Sequence, residues 1–396
     1  MRKIKLWQVV DLSVKIFSVC LCAALLLALF PVKSAAASPG DLSAQACVLM
    51  VAETREVLYA RNADEQLPMA STTKIMTSLL ALESGYPERE IVVTDEMVRV
   101  EGTSIGLLAG DTISLRTLVS GMLLESGNDA ANVTAYAVAG GIEPFLELMN
   151  AKAQEIGMQN THFETVSGLD SENHYSTAYD MSLLAACAIE NPLFRQICSL
   201  ESERVYYGNP PYARTLSNHN RLLKSYDGAF GIKTGYTKKS GRCLVSAAER
   251  DGVTLIAVTL NAPNDWADHR KLLDYGFSVA EARDYTDLTA QLPNVPVVGG
   301  DASTVRAVLA ETPFIDVTQS TPQITAQVFV QPFLYAPLQA GDCIGSVQYT
   351  LDGKTILEIP LVAESDVSCT TAEQEASQET DKPSLWERIK SIFGRE

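Results

Sequence analysis

Histidine is scarce in this chain of 396 residues: there are four, His162, His174, His219 and His269, and none stands at metal-ligand spacing from another. The eight cysteines include no C-x-x-C pair, so a zinc site finds no ligand set. Positive charge is short as well. Lys and Arg number 31 against 48 Asp and Glu, a formal charge of -17, which argues against nucleic acid, whose binding depends on clustered cations neutralising phosphates. Acidity alone names no partner. Internal repeats are absent. What the chain does have is 46% hydrophobic and only 20% charged residues, the composition of a globular protein of two domains with a sizeable core.

Both ends read as addresses. Basic Arg2, Lys3 and Lys5 precede an apolar run over residues 16–30, and Ala35-Ala36-Ala37 offers a small-residue cleavage site, so residues 1–37 are expected to be a secretory signal and the protein to be exported. Asp11 and Lys15 lengthen the basic region, which leaves an uncleaved anchor as the alternative. Cys20 and Cys22 are followed by further apolar residues, which speaks against lipid attachment. At the other end, residues 364–383 are rich in Ser, Thr, Glu and Asp and read as a disordered spacer. Beyond it, in residues 384–396, Leu385, Trp386, Ile389, Ile392 and Phe393 fall on one helical stripe with Arg388, Lys390 and Arg395 off it. A peripheral membrane-surface anchor is expected there, with docking back on the chain's own domain as the alternative. Six cysteines follow the signal; Cys187 and Cys198 could form a disulfide, and buried free thiols fit equally well.

Between the ends the pattern is mixed α and β. Residues 46–51 and 56–60 suggest a hairpin, and helices are expected over 71–83, 115–124, 129–138 and 144–156. Thr177 with Asp180 reads as a capping box. Extended runs at 230–236, 242–249 and 253–260 follow, the last two joined by Asp251-Gly252, suited to a type I′ turn, and a helix after Asn264. Strands from both ends of this segment around a helical middle predict one antiparallel sheet with helices on its faces, an α+β domain over residues 38–284. After it, residues 285–363 read as a small β-rich domain, with Asp352-Gly353 as a hairpin turn.

Three short motifs carry the chemistry: Ser71-Thr72-Thr73-Lys74, Ser126-Gly127-Asn128 and Lys233-Thr234-Gly235. An S-x-x-K arises by chance roughly once in a chain of this size, and alone it also fits an N-cap serine with a solvated lysine. S-x-N recurs at Ser171-Glu172-Asn173, and Ser-Gly-Asn is also plain turn chemistry. Their ordered co-occurrence makes the case for a serine acyl-transfer site. On a helix Lys74 lies one turn from Ser71 on the same face, so its amine can approach the hydroxyl. A second cation, Lys233, in the same dry cleft would lower the Lys74 pKa and make it a base. Ser126 could relay a proton to a leaving amine, and Asn128 could hold a substrate amide. Lys233 and Thr234 would bind a substrate carboxylate, while Gly235 admits close approach of backbone. Backbone N–H groups of Ser71 and Tyr236 are the expected oxyanion hole.

Residues 43–282 resemble the serine-type D-alanyl-D-alanine carboxypeptidases, the low-molecular-mass penicillin-binding proteins. Besides the motifs, Thr165-Val166-Ser167-Gly168-Leu169-Asp170, Ser176-Thr177-Ala178-Tyr179-Asp180 and the run Gly231 through Thr237 are similar to family stretches. The resemblance implies the penicillin-recognising (β-lactamase/transpeptidase-like) fold, removal of the terminal D-alanine from peptidoglycan stem pentapeptides through an acyl-enzyme on Ser71, covalent capture by β-lactam antibiotics, and no cofactor or metal. Many relatives carry an arginine just ahead of the helix that ends the catalytic domain, where this chain has Asn264-Asp265-Trp266-Ala267-Asp268-His269-Arg270; His269 or Arg270 could substitute. The alternatives are a DD-endopeptidase, a β-lactamase with Glu164 as deacylating acid, and a catalytically silent penicillin-binding sensor.

Overall fold

The structure is a computed structural model that describes residues 38–370. The expected signal, the anchor segment 384–396 and most of the spacer lie outside the described residues.

The elements run in order β1 (Ala46–Val51), β2 (Val57–Arg61), a 3-10 turn (Ala70–Thr73), α1 (Lys74–Glu83), β3 (Glu90–Val92), β4 (Thr112–Ser114), α2 (Leu115–Leu123), α3 (Asn128–Ala139), α4 (Ile142–Glu155), α5 (Ala178–Glu190), α6 (Pro192–Cys198), β5 (Ser202–Gly208), β6 (Pro211–Ser217), α7 (Leu222–Ser225), β7 (Ala229–Thr237), β8 (Gly241–Arg250), β9 (Val253–Leu260) and α8 (Asp265–Val279). A five-stranded antiparallel sheet, order β2-β1-β9-β8-β7, forms the centre, with β7 at its open edge. Its central strands are apolar on both faces because both faces are covered. Ala46, Val48 and Met50 of β1 enter the core under α1 to α6, whereas Cys47, Leu49 and Val51 meet α8 on the other side. The fold is thus the helix–sheet–helix arrangement expected.

Local signals hold where the chemistry is local. Asp251 and Gly252 both have positive φ, 50° and 83°, as a type I′ turn requires, and so do Asp352 and Gly353 at 49° and 76°. The Thr177–Asp180 box closes on one side only. Thr177 Oγ1 accepts from Asp180 N at 3.0 Å, but the Asp180 carboxylate turns away to Asn160 N at 2.8 Å and Thr161 Oγ1 at 2.7 Å. A second sheet, order β3-β4-β5-β6, has no counterpart in the sequence reading, because its longest strands are largely exposed and carry little apolar alternation. All six described cysteines are free thiols, so Cys187 and Cys198 are not bridged.

The C-terminal lobe adds β10 (Glu281–Asp284), β11 (Asn294–Val298), β12 (Thr304–Leu309), β13 (Phe314–Val317), β14 (Thr325–Val330), β15 (Leu334–Tyr335), β16 (Cys343–Leu351) and β17 (Lys354–Ala363). Six of these make one sheet, and β10 pairs with β13 across the expected boundary at 284. Residues 364–370, expected to open the spacer, still belong to this lobe. Val367 is buried, bridges Leu338, and the chain stays hydrogen-bonded to residues 299–301 as far as Thr370.

Candidate active site

Ser71 sits in a tight turn rather than within an α-helix; the expected helix over 71–83 starts as the 3-10 turn and becomes α-helical at Lys74. Ala70 supplies the bend with φ 48°, an unfavourable value for a residue with a Cβ. Two glycines close around it. A Cβ on Gly168 would stand 1.9 Å from Ala70 O, and one on Gly235 would stand 3.1 Å from Ser71 N. Thr73 Oγ1 lies 2.8 Å from His174 Nε2, while His174 Nδ1 accepts from Glu164 N at 3.0 Å. Burial holds that imidazole down at about 4, so it is neutral and braces the turn against the 164–174 loop.

Lys74 is fully buried. Its Nζ lies 3.0 Å from Ser71 Oγ, 2.7 Å from Asn128 Oδ1 and 2.6 Å from Ser167 O. Burial lowers its pKa far below the ordinary lysine value, and the charge of Lys233 lowers it further, against a smaller opposing pull from Asp129. In the neutral amine two N–H groups serve Asn128 and Ser167, which leaves the lone pair facing the Ser71 hydroxyl.

The second motif forms the start of α3. Ser126 takes φ 64° and is buried, and its hydroxyl makes no hydrogen bond among the described residues. Asn128 is engaged at both ends of its amide, Nδ2 donating to Glu101 O at 2.7 Å. Asp129 fixes the facing loop by accepting from Ser104 Oγ, Ile105 N and Leu107 N at 2.6 to 3.0 Å. The rival Ser171–Asn173 is occupied elsewhere. Glu164 accepts from Ser171 Oγ at 2.5 Å and from Asn173 N and Nδ2 at 2.9 and 3.0 Å. These donors hold the Glu164 carboxyl down at about 2, which makes it a poor proton acceptor and commits it to stapling its own loop.

On β7, Lys233 is buried, its Nζ donates to Thr234 O at 2.9 Å, and burial brings its pKa to about 7. Thr234 is half-buried and Tyr236 exposed. Thr237 Oγ1 donates to Asp170 Oδ1 at 2.9 Å, tying the strand to the Ser167–Asp170 stretch. His269 and Arg270 are not at this edge. His269 is buried under the sheet between Ser246 Oγ and Thr259 Oγ1, and Arg270 is on the exposed side of α8.

Sequence reasoning missed Ser167, which contributes a backbone carbonyl, and His174 and Asp129, which hold the frame. The last two had a signal in retrospect: a histidine between two family-like stretches, and an acid directly after Asn128.

Residues 32–264 match the family described as D-alanyl-D-alanine carboxypeptidase, and residues 289–368 match the penicillin-binding protein 5 C-terminal domain. The D-alanyl-D-alanine carboxypeptidase DacF of Bacillus subtilis is 31% identical over 82% of this chain and 86% of its own. DacC of Escherichia coli is 33% identical over 83% and 85%. Among solved structures, penicillin binding protein 5 of Haemophilus influenzae aligns with TM-score 0.61 at 29% identity, covering 84% of this chain and 100% of its own. The Streptomyces K15 DD-transpeptidase aligns with TM-score 0.57 at 31% identity over 60% and 98%.

Proposed function

The chain belongs to the D-alanyl-D-alanine carboxypeptidase family, and on that premise we propose that it removes the terminal D-alanine from peptidoglycan pentapeptides through an acyl-enzyme on Ser71, the serine that β-lactams would also acylate. The observation that carries the assignment of roles is the buried Lys74 amine, with two shorter contacts to Asn128 and Ser167 and its third direction towards Ser71 Oγ. The neutral amine takes the hydroxyl proton as the oxygen attacks the penultimate carbonyl. Backbone N–H groups of Ser71 and Tyr236 receive the oxyanion. Ser126 passes the proton to the departing D-alanine amine, and water then cleaves the ester. Asn128 orients Lys74, a task additional to any contact with the substrate amide. Thr234 faces the carboxylate end, whereas Lys233, expected there beside it, lies on the other face of β7 and acts through its charge on Lys74. Gly235 lets the peptide lie against β7 as an added strand.

Release of D-alanine from a Lys-D-Ala-D-Ala peptide, suppressed by a β-lactam, is the expected activity. Ser71→Ala should abolish it; turnover surviving in that variant would remove Ser71 from the mechanism. Cell-wall peptides lie outside the cytoplasm, so residues 1–37 are assigned as an export signal and residues 384–396 as a peripheral anchor. Among the described residues no helix is long and apolar enough to cross a membrane. Truncation after Pro383 should abolish co-sedimentation with anionic vesicles and leave peptide hydrolysis in solution unchanged. Retained vesicle binding would place the anchor elsewhere.

A further inference from the structure

The β7–β8 register assigns a second cation to the open edge. Tyr236 stands opposite Arg242, so their side chains share a face of the sheet. Thr234, two residues from Tyr236, shares that face too, as a diagonal neighbour of Arg242 within reach of a long side chain. Lys233 and Gly235 belong to the opposite face, where Gly235 abuts the serine turn and the Lys233 ammonium is sealed in. The strand thus turns its hydroxyl and its lysine in different directions, and a carboxylate held by Thr234 needs a cation on the Thr234 side.

Arg242 is the group in place. Its side chain is 41% exposed, while Asp265, at the N-terminus of α8, is nearly buried and holds one guanidinium nitrogen at 2.9 Å. The guanidinium carbon lies over the Trp266 ring, 5.7 Å from its centroid, within cation–π range. Anchored through one nitrogen, the guanidinium keeps further N–H donors for a second carboxylate. The residues directly ahead of α8, Asn261 to Asn264, contain no arginine; that segment leads instead into the acid that positions an arginine from β8.

We propose that Arg242, oriented by Asp265 and Trp266, binds the free C-terminal carboxylate of the substrate together with Thr234. The assignment rests on the carboxypeptidase reading above. The test compares kcat/KM for a peptide ending in D-Ala-D-Ala with that for its C-terminal amide. Their ratio does not depend on the fraction of folded enzyme, so a loss of folded protein cannot imitate the result. In Arg242→Gln the ratio should fall about 10- to 100-fold, mostly through KM, as expected for a lost charge-assisted hydrogen bond. Arg242→Lys should recover part of it, and Arg270→Gln should leave it at the wild-type value. An unchanged ratio in Arg242→Gln, or the same fall in Arg270→Gln, overturns the proposal. Wild-type protein that releases no D-alanine would instead sink the carboxypeptidase reading.

Discussion

Two buried amines close enough to feel each other's charge cannot both hold a proton at small cost, and the site is arranged around that conflict. Burial and the neighbouring cation lower Lys74, and burial brings Lys233 to about 7. The lowered Lys74 becomes a base as pH rises through its own pKa, and Lys233 loses its charge as pH passes about 7. The expected kcat/KM profile is a bell whose alkaline limb reports Lys233; a Lys233→Met variant should lose that limb along with most of its activity. A wild-type profile flat from pH 6 to 9 would contradict this division of labour. At this scale the sequence was legible where side chains do the work: Ser71, Lys74, Asn128 and Lys233 all declare themselves by spacing. Ser167 does not, because what reaches Lys74 is a main-chain carbonyl whose position depends on the fold of a distant loop.

At the scale of elements, the serine turn depends on what its neighbours leave out. Gly168 has φ 87° and lies so close to Ala70 that any Cβ would overlap backbone, which no rotamer can relieve. Gly168→Ala should displace the Ser71 amide, reduce acylation by a fluorescent penicillin more than tenfold, and cost at least about 1–2 kcal/mol in stability from the left-handed conformation alone. Wild-type acylation in that variant would mean the turn tolerates a shift. The family-like stretch Thr165–Asp170 pointed to this loop, but not to the reason for its glycine. The doubly buried strands and the Asp-Gly turns were readable because period and φ preference are local properties. The 3-10 start at Ala70 and the β5–β6 pair were not, since tertiary contacts impose the first and little burial marks the second.

At the scale of the molecule, the two lobes meet through acids. Asp316 N donates to Glu53 Oε2 at 2.8 Å, Thr254 N donates to Asp316 Oδ2 at 2.9 Å, and Glu56 accepts from Thr318, Ser320 and Thr321 hydroxyls at 2.5 to 2.7 Å. Beside them lies a cavity of about 400 Å³ lined in part by Arg195, Phe314 and both Glu53 and Asp316. Burial raises Glu53 to about 7 and Asp316 to about 6, above their ordinary values of 4.5 and 3.8. Groups raised on folding stabilise below their ordinary values and lose that contribution as pH climbs through the raised ones. Stability should therefore drop by on the order of 4 kcal/mol between pH 5 and 8. Urea melts at the two pH values should show it in the wild type and show less of it in Glu53→Gln. An equal slope in both would assign the pH dependence to other groups.

The edge strand β7 has a last consequence, for selection by antibiotics. Its outer rim offers peptide amides, and amides are common to every amino acid. A drug that docks there as the substrate does is read in part by main-chain atoms, which side-chain substitutions other than those to proline leave in place. Escape would come from the side chains beside the rim, Thr234 and Arg242, from entry to the cleft or from faster loss of the acyl group, and for the last of these the loop acid Glu164 is already engaged by Ser171 and Asn173.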